Sequence, residues 1–191
     1  MKSITRCSWC GEDPLYIEYH DTEWGLPLRD EQKLFEFLIL ETFQSGLSWI
    51  TILRKRENFR KALDNFDYNK IALYDEEKIT ELLQDAGIIR NKLKIRATIS
   101  NAVAFLEIQN EFGSFSKYVW GFINNIPIQN NSKSMSEVKA TSVTSDKLSK
   151  ELKNRGFKFI GSTVIYAYMQ ATGMVNDHSI YCFRHQEVQI T

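Results

Sequence analysis

Two cysteines and two histidines stand in pairs at opposite ends of this chain: Cys7 with His20, and His178 with Cys182. Two thiolates and two imidazoles are a complete tetrahedral ligand set for zinc. His178 and Cys182 are spaced i and i+4, on one helical face or across one turn. Four protein ligands would close the coordination sphere and leave no position for catalysis. Such a site would staple the two chain ends together and stabilise the fold through metal binding. The spacing leaves a second reading open, because the gap from Cys7 to His20 is no standard finger spacing. Cys7 would then be a small packed hydrophobe and His20 a polar surface residue. Cys10 forms a C-x2-C pair with Cys7, and the pattern does not say whether it replaces a ligand or stays free. His185 reads as exposed and uninvolved. With three cysteines in all, a disulfide framework is not expected.

A second feature is a carboxylate in the wrong company. In 34-LFEFLILETF-43, Leu34, Leu38 and Glu41 fall on one helical face, at i, i+4 and i+7. Burying an unpaired carboxylate is costly, so Glu41 requires a partner: a structural Arg or Lys, or a ligand. Nearby, 9-WCGEDPLYIEYHDTEWG-25 gathers Trp9, Tyr16, Tyr19 and Trp24, and Trp49 follows Glu41 at i+8. Aromatic clusters are commonly core. Here they mix too closely with Glu, His and Asp for a simple buried helix. Rings beside a carboxylate also suit a pocket for a flat, nitrogen-rich base, with stacking on its faces and an acceptor for its exocyclic amine.

The elements that must position these residues read as helices. The chain has 191 residues, 43% hydrophobic and 25% charged, with net charge zero and pI ≈ 6.8, which neither demands nor excludes nucleic acid. The basic runs 54-RKRENFRK-61 and 153-KNRGFK-158 serve equally as solvated helix surfaces. No apolar run spans a membrane and the N-terminus has no signal-like h-region, so a cytoplasmic protein is expected. Three prolines and nine glycines interrupt little. A helix capped by Asp30 is expected, then helices over about 47–62, 75–87 and 91–109, the last with Ile95, Ile99, Val103 and Leu106 as its stripe. Helices over 115–124, over 144–156 with Ser145 as cap, and over 162–173 complete the set. The polar segment 128–142 reads as loop, and no alternation argues for a sheet. The expectation is an all-α fold in a single domain over 1–191, with two helical lobes around a cleft as the variant form.

Longer blocks carry a resemblance. The stretches 13-DPLYIEYHDTEWG-25, 46-GLSWITIL-53, 55-KRENFR-60, 84-QDAGIIRNKLKI-95, 155-RGFKFIGST-163 and 175-VNDH-178 resemble the constitutive 3-methyladenine DNA glycosylase family, type I, over nearly the whole chain from Cys7 to Cys182. The resemblance implies a helix–hairpin–helix glycosylase fold with structural zinc on Cys7, His20, His178 and Cys182, without Cys10. It implies base recognition and catalysis centred on Glu41, with Tyr19 and Trp49 in the pocket and Trp9, Tyr16 and Trp24 beside them. The partner implied is double-stranded DNA carrying alkylated adenine, bound by a monomer. The hairpin falls at 155-RGFKFIGST-163, with Gly156, Gly161 and Lys158 toward phosphate and Leu47 as a wedge into the duplex. Related glycosylases with this hairpin place a catalytic aspartate where this chain has Asn176, Asp177 being one residue out of register. A non-catalytic binder of damaged DNA, a zinc hydrolase with an open metal site, and a helical partner-binding protein are the competing functions.

Overall fold

The computed structural model describes residues 4–190. Its helices begin where the sequence supplies a cap. Asp13 accepts from the Leu15 and Tyr16 amides, and with Pro14 at the first position it starts α1 (Pro14–Thr22). Asp30 accepts from the Lys33 amide and starts α2 (Glu31–Gln44). After the loop 45–48 come α3 (Trp49–Ala62) and a left-handed turn at Asp64–Phe66, then α4 (Tyr68–Ile71) and α5 (Glu76–Gln84). Asn91 caps α6 (Lys92–Phe112), which Gly113 ends in the left-handed conformation at φ 85°. Then follow α7 (Phe115–Gly121), β1 (Ile128–Gln129), α8 (Val143–Asn154), α9 (Ser162–Ala171), β2 (Val175–Asn176) and α10 (Arg184–Ile190).

The core is organised around α2. Every residue from Leu34 to Phe43 is buried, and α3, α6, α7 and α9 all pack on this helix. A helix apolar on all sides belongs in the centre, and this one carries two carboxylates with it. Glu36 is answered from α3: the Arg60 guanidinium lies 2.8 Å away, and Arg56 bridges Glu36 to Glu23 at 2.7 Å. Glu41 receives no such answer.

Several expected details differ. The stretch after Asp13 is a helix, started by its cap and Pro14, and as its mixed composition suggested it is not a simple buried one: only Tyr19 and His20 are buried. On α6 the buried stripe runs through Ile95, Thr98, Asn101, Ala102 and Phe105, while Val103 is 42% exposed. Of the other expected positions, Ile95 lies in the buried stripe and Ile99 and Leu106 are half-buried at its margin. Ser142, not Ser145, caps α8; Ser145 is its capping-box partner. Gly87 lies beyond the end of α5, whose C-cap is Asp85. A further helix, α10, follows the one expected to be last. β1 and β2 form a two-residue parallel pair that tethers the 128–142 segment beside the 175–178 loop, too short to leave an alternating pattern.

Candidate functional site

The chain ends meet. Cys7, His20, His178 and Cys182 are all buried, and their ligand atoms lie within 4.8 Å of one another. Cys182 Sγ is 3.4 Å from His20 Nε2 and 3.6 Å from His178 Nδ1, and Cys7 Sγ is 3.6 Å from His178 Nδ1. Zinc bonds of about 2.3 Å to sulfur and about 2.0–2.1 Å to nitrogen, at tetrahedral angles, place S and N about 3.6 Å apart. The donor set and spacing therefore fit such an ion. The outer ring nitrogens are also held: His20 Nδ1 is 2.7 Å from Asp21 Oδ1, and His178 Nε2 is 3.0 Å from the Trp24 carbonyl. Arg6 in turn clamps Asp21 with both its Nε and Nη2. Imidazoles oriented by a carboxylate and a carbonyl are what metal-ligating histidines need. Gly25 makes room here, since a Cβ on it would meet His178 Nε2 at 2.8 Å. Cys10 lies outside the set, with its Sγ directed to the Cys7 carbonyl at 3.1 Å. His178 and Cys182 sit across a turn, not on a helix. His185, expected to be exposed, is buried against the Asn130 carbonyl at 3.1 Å.

Next to this cluster is a cleft of about 260 Å³ lined by Trp9, Tyr16, Tyr19, Trp24, Glu41 and Trp49, the six side chains singled out from sequence. The 3-10 turn at Ser8–Cys10 supplies Trp9, α1 supplies the tyrosines, α2 supplies Glu41 and the first residue of α3 supplies Trp49. The Trp9 ring lies 4.9 Å from both Tyr16 and Trp24, and Tyr19 lies 5.5 Å from Trp49. Four cleft residues were missed. Gln44 follows Glu41 by three positions on α2, a spacing that was available as a signal. Ala167 and Gln170 repeat that spacing on α9, and Met135 reaches in from the 128–142 segment.

The cleft holds unanswered polar groups. Among the described residues nothing donates to the Glu41 carboxyl, and its Oε2 is sealed from solvent. Burial pushes this carboxyl up to about 8, so the unliganded cleft holds it largely protonated at neutral pH. The Trp9 and Trp49 indole N–H groups are likewise buried without acceptors. Burial, with Glu41 nearby, also pushes the Tyr19 hydroxyl well up, so it keeps its proton as a donor. Buried polar atoms in native proteins are nearly always satisfied. Several unsatisfied in one aromatic cleft point to a ligand that carries both donors and acceptors.

Two loops flank it. Leu47 is 41% exposed on the tip between α2 and α3, where Gly46 takes φ 86°. The buried Lys94 ammonium holds this tip by the carbonyls of Phe43 and Ser45, at 3.0 and 2.9 Å. The second loop joins α8 to α9. Gly156 is left-handed at φ 95°, whereas Gly161, at φ −57° with open space around it, needs no glycine conformation. Lys158 is exposed, but its backbone N–H is taken by Asn101 Oδ1 at 2.7 Å. Asn176 is buried and structural: its side chain bonds Gln129 and the carbonyl of His185, and accepts from the His178 amide. Asp177 is buried too, bound by Tyr166, Asn130 and Gln170.

The chain as a whole resembles known proteins. The methyladenine glycosylase family model matches residues 9–185. The chain is 50% identical over 179 residues to DNA-3-methyladenine glycosylase 1 of Escherichia coli (strain K12), covering 94% of this chain and 96% of that one. A crystal structure of a 3-methyladenine DNA glycosylase I superposes with TM-score 0.92 at 49% identity, over 94% of this chain and 98% of that one. A variant of such an enzyme solved in complex with 3-methyladenine superposes with TM-score 0.91 at 34% identity, over 93% and 96%.

Proposed function

The chain belongs to the methyladenine glycosylase family, and on that premise we infer that it is a DNA-3-methyladenine glycosylase of base-excision repair, hydrolysing the N-glycosidic bond of 3-methyladenine to leave an abasic site. The observation that carries the assignment of the site is Glu41: a buried carboxyl without a partner among the described residues, facing a cleft walled by aromatic rings.

The chemistry asks for little beyond extrusion and grip. N3-alkylated adenine in a nucleotide already carries positive charge on its ring. When its glycosidic bond breaks, the electron pair passes to the base, which departs neutral. Water then adds to the oxocarbenium-like sugar carbon and gives up a proton to solvent. No general acid is required, which agrees with the structural use of Asn176 and Asp177. The aromatic walls stack on the flipped base. Glu41 accepts from its exocyclic amine and ring edge, Trp49 stacks, and the Tyr19 hydroxyl donates. An ionised Glu41 favours a cationic base over a neutral one. In the unliganded cleft the carboxyl is mostly protonated, so a cationic base favours the ionised form and releases the proton on entry. Normal adenine, being neutral, brings no such drive.

Zinc is the ion that best suits the Cys2His2 set. When bound, it supplies no chemistry to the reaction and holds residues 7–20 against 178–182. The α8–α9 pair with its 155–161 connection supports a helix–hairpin–helix reading, with Gly156, Lys158 and Gly161 toward the phosphate backbone of duplex DNA and Leu47 entering the stack. One domain acting as a monomer suffices for all of this.

The test is base release from DNA treated with a simple methylating agent. Release of 3-methyladenine without 7-methylguanine is expected. Release of both would leave the enzyme but remove the narrow pocket. No release from a folded, zinc-loaded sample would make the protein a non-catalytic binder of damaged DNA.

A further inference from the structure

α9 brings a further polar side chain to the wall of the cleft. Ala167 and Gln170, one turn apart, both line it. Gln170 is anchored: its Nε2 donates to Asp177 Oδ2 at 2.7 Å. Asp177 is buried and takes two other donors, Asn130 Nδ2 on Oδ1 at 2.7 Å and the Tyr166 hydroxyl on Oδ2 at 2.8 Å. The two halves of a carboxamide are nearly alike in shape, but only the NH2 half can donate to a carboxyl oxygen. Asp177 therefore decides which half goes where, drawing nitrogen toward itself and turning oxygen away. Gln170 Oε1 has no hydrogen-bond partner among the described residues, and unlike Glu41 Oε2 it is not sealed from solvent.

We propose that Gln170 is a specificity-determining residue of the base site, its Oε1 accepting from the exocyclic amine of the extruded base, and that Asp177 is the residue that positions it. This rests on the base-excision reading above. Glu41 and Gln170 come from α2 and α9, which pack against each other, so the cleft offers acceptors from two elements. An amino group with two N–H bonds can satisfy two acceptors. A carbonyl at the same ring position satisfies neither and is repelled by the oxygen of Gln170. The cleft is thus built for an aminopurine and against an oxopurine, and the fixed amide is half of the reason. A glutamine free to turn would present NH2 as readily as oxygen and lose the distinction.

The experiment measures binding of two free bases by quenching of tryptophan fluorescence: 3-methyladenine, and 3-methylhypoxanthine, which carries a carbonyl in place of the amine and a hydrogen on a ring nitrogen. The metal-loaded native protein is compared with Asp177→Asn and Gln170→Met. In both variants the preference for the amino base should fall by about five- to ten-fold, the worth of one neutral hydrogen bond. In Gln170→Met the fall comes from weaker 3-methyladenine binding. In Asp177→Asn it comes partly from stronger binding of the oxo base, because an asparagine there lets the Gln170 amide turn. Equal weakening of both bases, or an unchanged ratio in Gln170→Met, would overturn the proposal. Metal content and thermal unfolding are read on the same samples. Should Asp177→Asn, next to His178, lose its metal, Gln170→Met alone decides the question, because the Gln170 side chain hydrogen-bonds to none of the four ligands. If the native protein binds neither base, the base-excision reading fails first and this inference falls with it.

Discussion

Replacing Glu41 by glutamine should stabilise the unliganded protein while removing its ligand. Burial holds this carboxyl at about 8, against an ordinary 4.5. A carboxyl whose pKa rises on folding binds its proton more tightly in the folded chain than in the unfolded one. Its contribution to stability is therefore fully present below pH 4.5, is lost as pH rises, and levels off above about 8. At about 1.36 kcal/mol per pH unit, the loss is ~1.4 kcal/mol near pH 5.5 and ~4.6 kcal/mol near pH 8.5. Glutamine is close in shape to the protonated carboxyl and does not titrate. The stability of Glu41→Gln relative to the native protein should thus grow by about 3 kcal/mol across that range. For a chain of this size that is a Tm difference widening by roughly 6–12 °C. Calorimetry of both proteins at the two pH values measures it, and any effect of pH on the metal site is common to both. The same variant should bind 3-methyladenine more weakly, by about 10- to 150-fold where the base enters as the cation, because a glutamine still accepts from the amine but cannot ionise to meet the charge. A stability difference that does not change with pH would refute the burial argument. Unaltered base binding would refute the assignment of Glu41 to the ligand.

Three other outcomes are expected. Leu47→Ala should leave free-base binding within about two-fold of native but slow excision from duplex DNA at least ten-fold, because opening a base step takes a few kcal/mol that a wedge supplies; equal rates on duplex would remove the wedge. Cys182→Ala, or chelation, should lower the melting temperature sharply along with activity, whereas lost activity with an unchanged melting temperature would mean the metal takes part in the reaction. Arg56→Met leaves Glu23 without its partner and Glu36 with Arg60 alone, and should destabilise by about 2–4 kcal/mol without altering base affinity at temperatures where the variant is folded; a change in affinity would tie this network to the site.

The site was more legible than the fold around it. Residue type offered Cys7, His20, His178 and Cys182 as a ligand set, but their spacing left a packed, unligated reading open, and the family resemblance chose between the two. Glu41 and the aromatic residues stood out because their polarity conflicted with their surroundings. Residues that act through neighbours were invisible. Asn101 clamps the 155–161 connection, Lys94 holds the Leu47 tip, and Asp177 orients Gln170. Each is an ordinary polar residue whose partner lies tens of positions away or beyond a turn, and no local pattern encodes such a contact. The same cause hid β1 and β2, whose pairing across 47 positions exists only once the helices have packed.

Glu36 and Glu41 show what separates a structural charge from a recognition charge. They lie on one helix, five positions apart, both buried among leucines and phenylalanines. Sequence treats them alike, and in fact it was Glu36 whose guanidinium partners, Arg56 and Arg60, were spelled out nearby on α3. Glu36 is fully answered within the fold, so a ligand could gain nothing from it. Glu41 is unanswered, and the fold tolerates a desolvated carboxyl that a glutamine or leucine would relieve. A folded chain has only about 5–15 kcal/mol of net stability to lose, and the loss at Glu41 is offset only when something enters the cleft carrying the missing donors. The free energy withheld from the unliganded protein is then recovered as affinity, and it is recovered most fully by a base that is flat, bears an amine and carries positive charge.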